Sequence, residues 1–318
     1  MSLKTLAAIA AFVTIPAMAQ TAVVLNSRDA SISLLDMKGG RETGRVEAGK
    51  EPHHLYPTPD GKSLIVANAI SNDLLFLDPH TGAVQRRVRG IDDPYQIGFT
   101  PDQKRFLVAA LRLDRVDVYD YINGDFKLAK RIPTKAMPSH LAFAPDNKTA
   151  FVSLQGARRV GAIDLTTLAP LWELEVGPDP AGLYLTPDGR YLLVGVMGAD
   201  YVAVVDVAQR KVIKKIKTGL GAHNFRALGD KRTVFVSNRA ANTVSPIDLA
   251  TLEAGPAFNV PGGPDCMEIT PDGRELWATS RFIKQVSVVD LSQRKVTREI
   301  PVGRSPHGIF FANRAGLQ

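Results

Sequence analysis

The chain has 318 residues, of which 45% are hydrophobic and 22% are charged, and its formal net charge is +7. Its single cysteine, Cys266, excludes a fold held together by intramolecular disulfides. The positive charge favours acidic partners over neutral ones. No basic cluster interleaved with aromatic residues indicates nucleic acid, so we expect no nucleic-acid partner.

Residues 1–19 have the three parts of a secretory signal peptide. Lys4 gives the positive start, residues 6–15 form the apolar segment, and Ala17-Met18-Ala19 is a small-residue cleavage site. The apolar segment is too short to span a bilayer, and no later run approaches spanning length. We therefore expect residues 20–318 to be the mature chain, a single domain in the periplasm or otherwise secreted.

A segment that begins with proline recurs along the mature chain. Its first copy, residues 52–61, reads PHHLYPTPDG. The turn aspartate returns every 42 residues, with one interval of 44, at Asp60, Asp102, Asp146, Asp188, Asp230 and Asp272. A second aspartate follows eighteen residues after each, at Asp78, Asp120, Asp164, Asp206, Asp248 and Asp290. Self-similarity at a period of roughly 20 to 50 residues is typical of solenoids, propellers and arrays.

Each repeat contains four predicted strands. The first alternates apolar residues, such as Leu55 and Pro57, and the second is a continuous apolar run, as in residues 64–66. The third ends at the second aspartate. The fourth, as in residues 83–88, is polar enough to be an exposed outer strand. Four strands in a repeat of this length are typical of a propeller blade.

The mature chain begins in the middle of a repeat. Residues 22–26, 32–36 and 42–47 match the second, third and fourth strands, and the missing first strand is found at residues 307–311. The two termini would therefore complete one blade together. The sequence predicts an all-β fold, a seven-bladed β-propeller of four-stranded blades with a one-plus-three closure between the termini.

Two departures from the repeat affect individual strands. Residues 121–125 contain the extra residues of the long interval, and we expect a longer outer strand or loop there. Pro246 falls inside a predicted third strand, where it removes a hydrogen-bond donor from the ladder. We expect a bulge at that position.

Short segments of the repeat carry a family resemblance. Residues 235–238, FVSN, followed by 242–244, NTV, and residues 305–308, SPHG, resemble the YVTN-type β-propeller repeat. The resemblance covers essentially the whole mature chain and implies the same propeller fold. Because the family includes enzymes, cofactor proteins and recognition modules, it does not imply one activity.

The residues that follow each repeat proline would surround the mouth of the central channel. Five of the six histidines fall there, and we expect the sixth, His80, to lie inert on the opposite face. We predict a ligand-binding role for His53, His54, Tyr95, His140, His223, Asp265, Cys266 and His307. Because His223, Asp265 and His307 begin consecutive blades, we expect them to form the densest polar cluster, with His53 across the mouth.

The loops that join second and third strands lie on the same face and are basic. Guanidinium groups suit carboxylates and phosphates, and we include in the predicted ligand site Arg28, Arg112, Arg239 and Arg281. The alternative is a solvated rim, since the opposite face also carries Lys62 and Lys104.

Three functions of different class agree with these residues. The first is an exported, monomeric binding or scaffold module that presents a histidine-rich, basic face to an anionic ligand or an acidic protein partner. It rests partly on the lack of any Gly-x-Ser-x-Gly, phosphate-loop or His-Glu-x-x-His motif.

The second function is a metal- or haem-type-cofactor protein, similar to propellers that hold copper or haem with histidines from strand ends. No local His-x-His or Cys-x-x-Cys spacing assigns metal ligands, so the cofactor stays open. The third is a propeller lactonase or lyase with a channel-mouth histidine as acid or base. The competing interpretation of the histidines is a structural role, in which each imidazole braces the next blade through backbone hydrogen bonds, and which would leave only the scaffold function.

Overall fold

The structure is a computed structural model that describes residues 20–315, so the predicted signal peptide lies outside the described residues. Seven antiparallel sheets are present, and each is one blade. We number the blades by their innermost strands in chain order, so that blade 7 is the one that joins both termini.

The strands follow the predicted repeat from the axis outwards. Blades 1 to 4 consist of Pro52–Pro57, Leu64–Asn68, Asp73–Leu77 and Val84–Arg89; Pro94–Phe99, Arg105–Ala110, Arg115–Ile122 and Asp125–Pro133; Pro138–Phe143, Thr149–Leu154, Arg159–Asp164 and Ala169–Glu175; Pro180–Leu185, Tyr191–Val196, Tyr201–Asp206 and Lys211–Lys217. Blades 5 to 7 consist of Ala222–Ala227, Thr233–Asn238, Thr243–Asp248, Glu253–Ala254 and Phe258–Asn259; Pro264–Ile269, Glu275–Ser280, Gln285–Asp290 and Lys295–Pro301; Pro306–Phe311, Thr21–Asn26, Ser31–Asp36 and Arg41–Glu47.

The two termini complete blade 7, as the repeat phase predicts. The C-terminal strand Pro306–Phe311 pairs antiparallel with Thr21–Asn26, placing Phe311 opposite Ala22 and Ile309 opposite Val24. The first strands of adjacent blades lie side by side around the axis. Ring closure therefore depends on hydrogen bonds between the two ends of the chain.

The apolar core lies between the blades. Seven clusters of buried side chains fill the seven interfaces between neighbouring sheets. Between blades 6 and 7, Trp277 and Phe311 are both fully buried, with ring centroids 5.4 Å apart. The second and third strands are apolar on both faces because each blade is covered by a neighbour on either side.

The repeated aspartates form turns and do not pair as acids. Asp60 Oδ1 accepts hydrogen bonds from the Thr58 hydroxyl, at 2.7 Å, and from the Lys62 backbone N–H, at 3.1 Å. The same pattern recurs at Asp102, Asp188 and Asp272. These carboxylates are bound within their own turns, at the blade edges.

Pro246 disturbs the outer strand of blade 5 and leaves its own strand regular. Strand Thr243–Asp248 pairs with its inner neighbour without a register shift, so the expected bulge in that strand is wrong. The outer strand is instead split into Glu253–Ala254 and Phe258–Asn259. Proline has no backbone N–H to donate to a carbonyl of the outer strand. The missing hydrogen bond explains why the outer strand is interrupted opposite Pro246.

The helices among residues 20–315 are two single 3₁₀ turns, Leu111–Leu113 and Gln155–Ala157. Neither they nor any other part of this described region forms a helix that could cross a membrane. The extra residues near Ile122 lengthen the hairpin of Arg115–Ile122 and Asp125–Pro133, as expected.

Replacing Phe311 with alanine is expected to lower the free energy of unfolding by about 3–5 kcal/mol, because the lost ring would leave a cavity beside Trp277. Urea unfolding measures the change. Phe282→Ala is the matched control, since Phe282 is 64% exposed and its loss should alter stability by no more than about 0.5 kcal/mol. Equal losses in the two variants would contradict a closing strand packed against blade 6.

Candidate functional site

Each first strand carries a register shift next to its repeat proline, or next to Ala222, which takes the place of that proline in blade 5. In blade 1 the pairing shifts between Pro52 and His54, and in blade 3 between Pro138 and Leu141. The other five blades have equivalent shifts. Because a bulge re-aims the side chains beside it, residues of both strand parities can turn towards the axis.

Five imidazoles form one continuous cluster in the channel. The rings of His53 and His307 stack with centroids 3.7 Å apart. His140 meets His54 and His223 edge-on, at centroid distances of 5.2 and 5.4 Å. All five side chains are buried, so they lie beneath the mouth surface and do not form the histidine-rich face that we expected.

Asp265 joins this cluster and is completely buried. Its Oδ1 atom lies 2.8 Å from His223 Nδ1 and 3.7 Å from His307 Nε2. The grouping of His223, Asp265 and His307 is therefore the predicted one. The expected place of His53 across the mouth is wrong, because blade 1 is the direct neighbour of blade 7 and His53 stacks on His307 from there. The approach of His223 to Oδ1 lies outside hydrogen-bond geometry, and Oδ1 has no hydrogen-bond partner among the described residues.

Backbone carbonyls fix two of the imidazoles. His54 Nδ1 donates to the Tyr95 carbonyl at 2.8 Å, and His307 Nδ1 donates to the His53 carbonyl at 2.6 Å. The bracing role therefore holds for these two rings. Since the carbonyl takes the Nδ1 proton, the Nε2 atom of each neutral ring keeps a lone pair. The Nε2 atoms of His54 and His140 are buried with no partner within the described chain.

Two arginines from the mouth-face loops hold the other oxygen of Asp265. Arg281 Nη1 lies 3.0 Å from Oδ2, and Arg239 Nη2 lies 3.8 Å from it. Burial opposes ionisation of Asp265, but the imidazoles of His307 and His223 and the guanidinium of Arg239 hold its pKa well below the ordinary value. Because burial also disfavours a charged imidazole, we attribute the ionised carboxylate to the permanently charged guanidinium groups.

The imidazoles are neutral at physiological pH. Burial lowers the pKa of His54 to about 4 and holds the pKa of His53, His140 and His307 well below 6.5. The pKa of His223 is also lowered by burial, although the adjacent carboxylate of Asp265 opposes the change. A neutral imidazole can accept a proton or ligate a metal, and these rings keep that capacity.

Tyr95 and Cys266 lie at the edges of the cluster. The Tyr95 ring packs on His53 at a centroid distance of 3.8 Å. Cys266 Sγ lies 3.6 Å from His307 Nδ1 and receives a hydrogen bond from the Asn224 amide at 3.2 Å. Burial raises the pKa of the Cys266 thiol strongly, so the sulfur is protonated and is a poor metal ligand in this state.

A glycine in blade 4 makes room for the cluster. A Cβ atom at Gly182 would lie 2.1 Å from the His223 carbonyl oxygen. The backbone of blade 5 can therefore approach blade 4 closely, and this approach carries His223 towards the axis.

A basic cavity of about 710 Å³ opens on the mouth face, over blades 6, 7 and 1. Its wall includes Arg281, whose guanidinium also holds Asp265 in the cluster below. Arg28 lines this cavity as predicted. The predicted ligand site left out other members of the wall, among them Lys50, Phe282, Lys284 and Arg304. Lys50 and Arg304 each stand two residues before a repeat proline, and this position could have identified them.

The predicted arginines have different surroundings. Arg112 lies away from the cavity and is bound by Glu51, at 2.7 Å, and by Asp93. Arg239 reaches Asp265 and also contacts Met197 Sδ at 3.4 Å. Only Arg28 and Arg281 of the four line the cavity.

These observations define a seven-bladed β-propeller with a buried histidine–aspartate cluster below a basic mouth. The chain belongs to the YNCE-like beta-propeller family, which it matches over residues 2–316. No curated protein matches the chain.

Several solved structures share the fold. A functionally unknown protein from Desulfotomaculum acetoxidans DSM 771 is 16% identical, with a TM-score of 0.79 over 92% of this chain and 99% of that one. The dihydro-heme d1 dehydrogenase NirN, solved in complex with DHE, is 18% identical, with a TM-score of 0.71 over 93% and 76%. Kuenenia stuttgartiensis hydrazine synthase is 21% identical, with a TM-score of 0.68 over 83% and 92%. At these identities the likeness is one of fold.

Acid should destabilise the chain through His54. Its pKa falls from 6.5 to about 4 on folding, so the unfolded state binds more protons between these values and stability decreases as the pH drops through this window. At about 1.4 kcal/mol for each pKa unit, the window corresponds to about 3 kcal/mol. Urea unfolding at pH 7 and pH 4 should show a correspondingly smaller loss in His54→Gln. Parallel pH profiles of the two proteins would contradict a buried, neutral His54.

Proposed function

We propose that this chain is an exported, monomeric binding protein that takes a small organic anion in the basic cavity of the mouth face. One observation carries the proposal: three cationic side chains on the wall of one cavity have no ion pair among residues 20–315. They are Arg28, Lys50 and Lys284. Export rests on the signal-peptide pattern of residues 1–19.

The charges around the cavity are uneven. Arg281 is paired with Asp265, and Arg304 is paired with Asp29. Glu51, the one acid among the described residues of the wall, is occupied by Arg112. The three remaining cations therefore face the cavity without a counter-charge from the protein, and an anion that enters would meet no unpaired carboxylate.

The cavity also has an apolar wall. Phe282 and Ile70 line it and are 64% and 54% exposed. A volume of about 710 Å³ is within the roughly 300–1,000 Å³ of small-molecule pockets. We infer a ligand that combines two or more carboxylate or phosphate groups with a carbon skeleton, since the wall offers both kinds of contact.

The alternatives have less support from the same residues. A haem-type cofactor or a ring ester would need an imidazole open to the cavity, and the most exposed of the five, His54, is 7% exposed. The likeness to NirN is one of fold and adds no ligand.

Neutralising the cavity should weaken anion binding. Isothermal titration at low ionic strength, with citrate and pyrophosphate as probes, should show affinity lowered at least about tenfold in the double variant Arg28→Gln/Lys284→Gln, because two charge-assisted contacts are lost. The affinity of the unsubstituted protein should also fall with added salt.

The matched control is Lys62→Gln/Lys104→Gln, which removes the same charge from exposed positions on the opposite face. This variant should bind both probes as the unsubstituted protein does. An equal loss of affinity in the two double variants would show that net charge alone attracts the anion, and would overturn the cavity as the site.

A further inference from the structure

The buried cluster itself presents a second, separate site. We infer that the channel binds one divalent transition-metal ion of the zinc–copper class, held by His223, Asp265 and His307. The inference does not depend on the anion-binding cavity, because none of these three residues lines that cavity.

His307 presents a ring nitrogen with a free lone pair to Asp265. Its Nδ1 proton is used by the His53 carbonyl, so the Nε2 atom that faces Asp265 carries a lone pair. Two electron-rich atoms, Nε2 and Oδ1, therefore lie 3.7 Å apart in a fully buried place with no proton between them. Burying polar atoms without a hydrogen-bond partner is costly, and a cation bound between these two atoms would offset that cost.

The two carboxylate oxygens of Asp265 have different surroundings. Its Oδ2 atom is held by Arg281 and Arg239, whereas Oδ1 has no hydrogen-bond partner among the described residues. A buried carboxylate oxygen without a partner is costly. The arginines orient the carboxylate in the way that outer partners orient a metal ligand, and they leave the oxygen on the channel side available.

The side chains of His223, Asp265 and His307 are close enough together to share one ion. The Oδ1 atom lies 2.8 Å from His223 Nδ1 and 3.7 Å from His307 Nε2, and one ligand atom from each of the three residues lies within 4.8 Å of the other two. Bonds of about 2.0–2.1 Å in a tetrahedral site place neighbouring ligand atoms about 3.3 Å apart. Small side-chain movements would thus suffice to close the three atoms around one ion.

The ligand atoms select the kind of ion. Two imidazole nitrogens and one carboxylate oxygen suit zinc and copper, whereas calcium and magnesium require mostly oxygen ligands. A second trio, His53, His54 and His307, also has its ligand atoms within 4.8 Å. We favour the trio with Asp265 because it supplies an anionic ligand.

The test is a titration of EDTA-treated mature protein with Zn²⁺ and, as a visible probe, Co²⁺. We expect one ion per chain, and Co²⁺ absorption bands of a low-symmetry site without sulfur ligation. Asp265→Asn and His307→Gln should each weaken Zn²⁺ binding at least about 100-fold, since a ligand matters at least as much as its outer partner. His80→Gln, at an exposed turn on the opposite face, is the control and should bind as the unsubstituted protein does.

Three results of the metal titration would contradict the inferred metal site. No stoichiometric Zn²⁺ or Co²⁺ binding by the unsubstituted protein would overturn the inference. Loss of binding in His80→Gln, or unchanged binding in correctly folded Asp265→Asn and His307→Gln, would also overturn it. If both cluster variants fail to fold, the stoichiometry and Co²⁺ bands of the unsubstituted protein still decide the question, because thiolate bands would indicate ligation by Cys266.

Discussion

Seven inner strands share one axis, and this constraint determines both the fold and the candidate site. Each strand has a neighbour on either side, so the seven blades must close into a ring before any interface is complete. Whatever side chains follow the repeat prolines are then confined to one narrow space. Here that space receives five imidazoles and one carboxylate. Few hydrogen bonds to residues outside the cluster compensate for the burial of these polar groups.

The electrostatic arrangement follows from this confinement. Burial keeps the imidazoles neutral, so within residues 20–315 the strong opposite charges for Asp265 come from the loops above it. Arg281 spans the two regions, since it holds Asp265 and also lines the mouth cavity. A ligand that displaces or reorients this guanidinium would therefore change the charge balance of the cluster below, which connects the two proposed sites physically.

The sequence was sufficient for the fold because the 42-residue period, the strand patterns and the split first repeat all depend on local features. It also identified the trio of His223, Asp265 and His307, because consecutive blades bring equivalent positions together. Strict alternation of side chains along the strands would have pointed His54 and His140 away from this trio. The register shifts beside the prolines interrupt that alternation, so both histidines join the cluster. The depth of the imidazoles, and the pairing of Arg112 with acids near the rim, depend on side-chain packing that no local pattern encodes.

The closing strand has a consequence for the order of assembly. His307 lies on Pro306–Phe311, the last of the described strands, and this strand completes blade 7. The other cluster residues precede it in the chain by at least 41 positions, since Cys266 is the nearest of them. The cluster is thus completed by the same strand pairing that closes the ring, so a chain whose ring is open has no complete site. Occupation of the channel would report that the ring had closed.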